Sequence, residues 1–247
     1  MLAHMSQQST EPQNPESNGS SAGAGAAVAD LVTAVKPRLR GWLHLAMFPV
    51  AVIGGLVLVL LSEPGTVRTA SIVFTVSAAL LFGVSAVYHR GTWGPRASTL
   101  LKRMDHSNIY LIIAGTYTPF AVTLLPADQA RLLLSVIWGG AIAGVLFRVF
   151  WVGAPRWLYT ALYLALGWAA IFYVGPFWRT GGPLIGSLIA IGGLMYTAGG
   201  IIYGVKRPNP WPKWFGFHEI FHAFTLGGFL THFVAVTLAI LGYQAVS

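Results

Sequence analysis

The sequence predicts an all-α integral membrane protein, folded as a bundle of seven transmembrane helices. Its 247 residues are 55% hydrophobic and only 9% charged, whereas about 25% of the residues in a soluble domain are charged. The apolar residues are also gathered into repeated segments of about 20 residues, the length at which a helix crosses the hydrocarbon core of a bilayer. A soluble chain of this size needs neither feature to form its core.

Short connections with turn-forming residues, such as Glu63-Pro64-Gly65 and Gly181-Gly182-Pro183, separate seven apolar segments. Glycine and proline interrupt helices, so these connections define the ends of the spans. We predict spans at residues 42–62, 69–89, 106–125, 131–152, 157–177, 182–204 and 216–244.

The chain is expected to have two parts. Residues 1–35 are rich in Ser, Gly, Ala and Gln and lack aromatic side chains, which predicts a disordered tail. The tail also lacks a basic segment followed by a short apolar core, so it does not have the pattern of a signal peptide. Residues 36–247 form the predicted transmembrane domain.

The distribution of lysine and arginine predicts the orientation. Twelve basic residues flank one set of span ends and three flank the other. The first set comprises Lys36, Arg38, Arg40, Arg90, Arg96, Lys102, Arg103, Arg148, Arg156, Lys206, Arg207 and Lys213, and the second comprises Arg68, Arg131 and Arg179. Because basic connections stay in the cytoplasm, the N-terminus is predicted inside. Seven spans then place the C-terminus outside, in a multi-pass protein of the plasma (inner) membrane.

The net charge of +8 does not indicate a nucleic-acid partner, because the basic residues form no continuous stripe or run. They are spread between apolar segments, and the lipid bilayer explains them. The chain contains no cysteine, which excludes disulfides and thiolate metal ligands.

Five polar residues near the cytoplasmic ends of the spans form the candidate site: Ser85, His89, Asp105, His218 and His222. Ser85 and His89 are four residues apart on one helix, as are His218 and His222 on another, so each pair shares a face. Asp105 is expected to open the third span on the same side of the membrane. Three imidazoles with an open fourth position are typical of catalytic zinc.

Each of these residues also has an interpretation without chemistry. A histidine pair on a membrane helix can bond to neighbouring helices or lie at the headgroup level. An aspartate at a helix start can cap free backbone N–H groups, and a serine can bond back to a carbonyl of its own helix. The zinc interpretation depends on all five residues lying at one depth on one side.

Three stretches of the chain, between about Pro37 and Tyr243, closely resemble the bacterial hemolysin III family, which is related to the progestin and adipoQ receptors and more distantly to alkaline ceramidases. The stretches are Ser85-Ala86-Val87-Tyr88-His89, Arg103-Met104-Asp105-His106 continuing to Ile112-Ile113-Ala114-Gly115-Thr116-Tyr117-Thr118-Pro119-Phe120, and His218-Glu219-Ile220-Phe221-His222 ending in Thr231-His232-Phe233. The resemblance implies seven helices and a cytoplasmic-side zinc held by His89, His218 and His222. It also implies that Asp105 and Ser85 flank the metal-bound water, in a site that the relatives use to hydrolyse a lipid amide.

The remaining histidines are expected to play smaller parts. His232 lies ten residues beyond His222, about 15 Å along a helix, which is too far for it to bind the same ion. His44 and His106 are expected near the cytoplasmic interface, where they would at most support the metal ligands.

The functional hypothesis is a zinc-dependent hydrolase, similar to a ceramidase, that cleaves a lipid amide or ester. Zinc held by neutral imidazoles lowers the pKa of bound water and polarises a carbonyl. Asp105 would hold or deprotonate that water, and Ser85 would donate a hydrogen bond to it or to the oxyanion. The expected partners are the bilayer and a lipid substrate.

Three other classes stay open. A receptor-like membrane protein would use the zinc structurally. A pore-forming hemolysin would use the bundle as a conduit, and would be expected to have an export signal or a soluble form. His218-Glu219-x-x-His222 also fits the H-E-x-x-H motif of zinc proteases, but Thr225 and Gly228 stand where a metzincin needs Gly and His, and no acidic residue follows Glu219. Glu219 is expected instead to pair with Lys213 or to favour the helix N-terminus.

The orientation can be tested with reporters. We expect a reporter fused after Ser247 to be extracytoplasmic and one fused before Val35 to be cytoplasmic, because of the charge bias and the odd number of spans. Protease protection in sealed vesicles gives an independent measurement. Finding both ends on one side would mean that the number of spans is even.

Overall fold

The computed structural model describes residues 37–151 and 153–245. The predicted tail at residues 1–35 therefore lies outside the described residues. Within the described residues the chain is helical, without a β-strand, and Trp211 and Phe215 form an isolated bridge in the last connection. In chain order the helices are α1 (Trp42–Leu61), α2 (Thr66–Arg90), α3 (Pro95–Leu124), α4 (Ala127–Phe150), α5 (Arg156–Gly167), α6 (Val174–Val205) and α7 (Phe217–Gln244), and a 3₁₀ segment at Trp168–Tyr173 joins α5 to α6.

Five helical segments are long and apolar enough to cross a membrane: α1, α2, α4, α7 and the 50-residue stretch Arg156–Val205, which contains α5, the 3₁₀ segment and α6. Large apolar side chains such as Ile53, Leu60 and Phe172 are exposed on the outside of these segments. An exposed apolar surface of this kind suits lipid contact. The predicted ends agree with these helices to within a few residues except in α3, α4 and around α5 and α6.

The stretch Arg156–Val205 folds back on itself. Trp168 donates a hydrogen bond from Nε1 to Thr197 Oγ1 (3.1 Å), and Arg156 donates from Nη1 to the Tyr203 carbonyl (3.3 Å). Earlier residues therefore pair with later ones, as in two antiparallel segments. The helical path breaks at Gly182, whose φ of 71° is open to glycine and unfavourable for other residues.

Helix α3 lies at the centre of the bundle and contacts α2, α4, α5, α6 and α7. It is less apolar than the helices that qualify as membrane spans by composition. Because the surrounding helices separate it from lipid, it can carry polar residues. Asn108, for example, donates from Nδ2 to the Leu80 carbonyl of α2 (2.8 Å). The core around α3 includes Phe74, Phe82 and Phe229. The ring centroid of Phe229 lies 5.6 Å from that of Phe74 and 5.0 Å from that of Phe82.

The expectation that Asp105 opens the third helix is wrong. Helix α3 begins at Pro95, ten residues earlier, where proline is favoured because the first helical position needs no N–H donor. The extra turns are polar, with exposed Arg96 and Lys102, so apolar content alone did not reveal them. Asp105 therefore has no helix N-terminus to cap.

Candidate metal centre

Three imidazoles from two helices meet at one point. His89 lies in the last turn of α2, and His218 and His222 lie one turn apart near the start of α7. One ring nitrogen from each lies within 4.8 Å of the others, and the Nε2 atoms of His89 and His218 are 3.2 Å apart. We call these three residues the imidazole cluster. Their convergence agrees with the prediction, and the cluster could hold a metal ion.

Asp105 lies beside the imidazole cluster. Its Oδ2 is 3.6 Å from His89 Nε2, and its side chain is largely buried. Asp105 lies inside α3, and α3 packs closely against α2. This packing sets the position of the carboxylate. A carboxylate in this environment needs a positive or hydrogen-bonding partner, and the His89 imidazole and the Ser85 hydroxyl both lie beside it.

Ser85 occupies the turn of α2 that precedes His89. Its hydroxyl is buried beside the Asp105 carboxyl and has no hydrogen-bond partner of ordinary geometry among the described residues. It therefore makes no bond back to a carbonyl of α2, which was the alternative interpretation. The group of the site that it can reach is the Asp105 carboxyl.

Glu219 serves the structure of α7. Its Oε2 accepts a hydrogen bond from the Gly216 backbone N–H (2.8 Å), which caps the helix, and its Oε1 pairs with the Arg40 guanidinium. The expected ion pair with Lys213 is wrong, because Arg40 arrives from the segment before α1. With both oxygens engaged, Glu219 is not placed as the general base that the H-E-x-x-H interpretation requires.

His44 belongs to the site, and the sequence predicts at most a supporting role for it. It is buried on α1, and its ring stacks face to face on His222 with centroids 3.7 Å apart and planes 4° apart. Neither ring nitrogen of His44 has a hydrogen-bond partner among the described residues. The stack fixes the plane of the His222 ring, so His44 supports the cluster from a third helix. The prediction that it could only be a supporting residue agrees with this position.

The other two histidines among the described residues lie apart from the cluster. His106 is buried and bonds to Arg148 and Tyr203. His232 donates from Nε2 to the Ile189 carbonyl (3.0 Å) farther along α7. Neither belongs to the group of nitrogens that could share one ion.

A cavity of about 380 Å³ extends from the imidazole cluster through the bundle. Ser85, Asp105, His218 and His222 line one part of it. Most of the remaining wall is apolar or aromatic and comes from α3, α5, α6 and α7, with Ile112, Phe120, Leu164, Phe177, Ile189 and Phe221 among its residues. The cluster therefore faces a space that suits an apolar chain.

The family described as haemolysin-III related matches residues 32–233 of the chain in sequence. The chain belongs to this family. It is similar to a hemolysin-3 homolog of Bacillus subtilis (strain 168), with 36% identity over 164 residues that cover 66% of this chain and 74% of that protein. Hemolysin-3 of Bacillus cereus is 36% identical over 171 residues, covering 68% and 74%.

A more distant relative is the heptahelical transmembrane protein ADIPOR2 of Oryza sativa subsp. japonica, which is 30% identical over 189 residues, 70% of this chain and 82% of that protein. The matches confirm the resemblance that the three sequence stretches indicated. With its apolar helices, this member of the haemolysin-III family is a multi-pass integral membrane protein.

The role of Glu219 can be tested by Glu219→Gln. The neutral amide leaves the Arg40 guanidinium without its charged partner, so we expect the free energy of unfolding in detergent to fall by about 1–3 kcal/mol. The metal content should not change, because Glu219 supplies no cluster nitrogen. Glu63→Gln, at an exposed position, is the matched control and should leave the melting temperature unchanged. Loss of bound metal at unchanged stability would instead favour a role of Glu219 in chemistry.

Proposed function

We propose that this protein is a zinc-dependent hydrolase that cleaves an amide or ester bond of a membrane lipid. The observation that carries the proposal is the position of the imidazole cluster and the Asp105 carboxylate on the wall of a largely apolar cavity. A cluster that served only to hold helices together would need neither the carboxylate nor the cavity. Membership in the haemolysin-III family supports the fold of the site and leaves its chemistry to be tested.

The imidazole cluster suits zinc. Zinc binds imidazole nitrogen at about 2.0–2.1 Å in tetrahedral geometry, which separates two ligating nitrogens by about 3.3 Å. The 3.2 Å between the Nε2 atoms of His89 and His218 is close to that spacing. Three neutral nitrogen ligands and no thiolate are also the ligand set of a catalytic rather than a closed structural site.

The side chains around the cluster can divide the work of hydrolysis. A bound zinc supplies a Lewis acid and lowers the pKa of water. Asp105 accepts the proton of the attacking water at Oδ2, on the side of His89, and returns it to the leaving nitrogen or oxygen as the bond between that atom and the carbonyl carbon breaks. Ser85 donates a hydrogen bond from its hydroxyl to the oxyanion that develops on the carbonyl. His44 holds the ring plane of His222 while this happens.

The cavity indicates the class of substrate. Its wall is mostly apolar, and its polar residues are concentrated around the imidazole cluster. An amphiphile with an amide or ester near its head and a hydrocarbon chain fits both parts. The hydrocarbon chain of the ligand then exchanges its contacts with lipid for contacts with the cavity wall, and its polar head reaches the imidazole cluster.

The orientation and the number of spans form part of the proposal. The antiparallel pairing of α5 with α6 turns the stretch Arg156–Val205 into two passes, and α3 adds a pass at the centre of the bundle. This supports seven spans with the N-terminus inside. The charge bias remains eleven to three without Arg148, which is buried within the bundle.

A receptor with a structural metal is the second candidate. A metal held by His89 on α2 and by two histidines on α7 would cross-link the two helices, which favours a structural role. The two candidates differ in what they require of Asp105.

Metal analysis tests the cluster directly. We expect one zinc per chain in the purified protein, and His89→Ala, His218→Ala and His222→Ala should each lower the zinc content sharply, because each removes one of three ligands. His232→Ala should leave the zinc content intact, since its ring lies elsewhere along α7. An equal loss of zinc from His232→Ala would refute this ligand set.

Asp105→Asn separates the hydrolase from the receptor. Asparagine keeps the size and much of the hydrogen bonding of the side chain but cannot accept the proton. We expect zinc content and melting temperature to stay close to native while hydrolysis of a lipid amide falls by roughly 10²–10⁴-fold, the usual contribution of a general base. The matched control is Asp128→Asn, at an exposed position in the first turn of α4. Full hydrolysis by Asp105→Asn would exclude the base role.

A further inference from the structure

Arg148 is a fully buried arginine inside the bundle. It lies in the last turn of α4 with 1% of its surface exposed. No carboxylate of the described residues forms an ion pair with it. The ion pairs among these residues join Arg40 to Glu219 and His89 to Asp105. An unpaired charge inside a membrane protein is costly and usually indicates function. The proposed hydrolysis gives Arg148 no direct part.

The contacts of Arg148 point toward the cavity wall. Its Nη2 donates to His106 Nδ1 (3.0 Å), and its guanidinium lies over the Tyr159 ring, 4.4 Å from the centroid. Nε and Nη1 are buried and have no hydrogen-bond partner among the described residues. The strongest directional contact of this charge is therefore its bond to one imidazole.

This bond fixes the tautomer of His106. Arginine can only donate, so His106 Nδ1 must accept and carries no proton. The neutral ring then has its proton on Nε2, which lies 3.2 Å from the Tyr203 hydroxyl. His106 consequently donates to the Tyr203 oxygen. In this way Arg148 determines which hydrogen bond Tyr203 receives.

Tyr203 lies on the cavity wall next to the imidazole cluster. It is buried, it lines the cavity, and its ring centroid is 5.7 Å from that of His218. Arg156 holds it from the other side by donating to its carbonyl (3.3 Å) and lying over its ring. A phenol whose oxygen accepts a hydrogen bond becomes a better donor itself. The Tyr159 hydroxyl, 3.3 Å away, can bond to the same oxygen.

We propose that Arg148, His106 and Tyr203 form a buried relay that presents the Tyr203 hydroxyl as a hydrogen-bond donor to the head of a lipid in the cavity. Arg148 and His106 are positioning residues, and Tyr203 contacts the ligand. The ligand class is an amphiphile with an oxygen acceptor near its reactive bond, such as an amide carbonyl. Asp105 acts near His89, and Tyr203 acts near His218. The ligand half of this inference rests on the proposed function.

The tautomer test does not need a substrate. In protein labelled with ¹⁵N-histidine, the His106 signals can be assigned by their loss in His106→Asn. We expect a single tautomer protonated at Nε2 in the native protein and in Arg148→Lys, which keeps a donor. Arg148→Met removes the donor and should give a mixture of tautomers, while the zinc content stays native. An unchanged tautomer in Arg148→Met would overturn the relay.

The ligand test compares two uncharged probes, 2-hydroxyethyl palmitate and 2-(hexadecyloxy)ethanol, an ester and an ether that differ by the carbonyl oxygen. We expect Tyr203→Phe to weaken binding of the first probe by about 5- to 10-fold, the effect of one hydrogen bond. Arg148→Met should weaken it by a smaller factor, because part of the molecules keep the His106 tautomer that donates to Tyr203. The double variant should be no weaker than Tyr203→Phe alone, because both changes act on the same bond. Binding of the second probe should not change in any of these variants.

Tyr110→Phe is the matched control, because Tyr110 is a buried tyrosine whose hydroxyl has no partner among the described residues and which does not line the cavity. Additive losses, or equal losses for both probes, would overturn the ligand contact, as would failure of the native protein to bind the first probe. Binding without cleavage in the native protein would refute hydrolysis alone and leave the relay standing.

Discussion

The absence of water from the hydrocarbon layer is the constraint on which the rest of this structure depends. A polar group at that depth must find its partner inside the protein. Helix α3 shows the result, because five other helices surround it and it carries the buried Asp105, His106 and Asn108. The outer helices present apolar side chains, and the polar chemistry is gathered around the central helix. The imidazole cluster and the relay are two parts of that polar interior.

Much of this arrangement could be predicted from the sequence. Apolar content placed the ends of α1, α2 and α7 to within a few residues, and the spacing of four between His218 and His222 put both on one face of α7. The meeting of these residues with His89 followed from counting the spans. These features depend on short-range periodicity and on the alternation of sides, and both are visible in a single chain.

Other features depend on how helices pack against each other, which periodicity does not show. Asp105 was expected at a helix start because the predicted apolar segment begins at residue 106, yet the basic turns before it continue α3. The partner of Glu219 is Arg40, which lies 179 residues away, and no local pattern connects the two. The stack of His44 on His222 and the burial of Arg148 have the same origin. Arg148 lies near a predicted span end and was counted as a cytoplasmic charge, whereas its side chain is buried inside the bundle at the last turn of α4.

The two polar groups flank the cavity in different ways. In the proposed function, the imidazole cluster binds a metal and Asp105 transfers a proton, whereas the relay supplies a hydrogen-bond donor that transfers no proton. Their separation along the cavity wall defines where the head of a ligand can lie. The apolar remainder of the cavity contributes little direction, so the orientation of a bound lipid depends on these few polar contacts.

The position of two cluster histidines on the last helix has a consequence for the order of assembly. A ribosome that has completed α6 has made only His89 of the three, and a single imidazole binds zinc weakly. The imidazole cluster can therefore form only after α7 has entered the membrane and packed against the earlier helices. The same step closes the contact between Arg40 and Glu219, so the first and last parts of the transmembrane domain are joined at the moment when the site is completed. A chain that lost its last helix would keep most of its hydrophobic bundle but only one of the three imidazoles of the cluster.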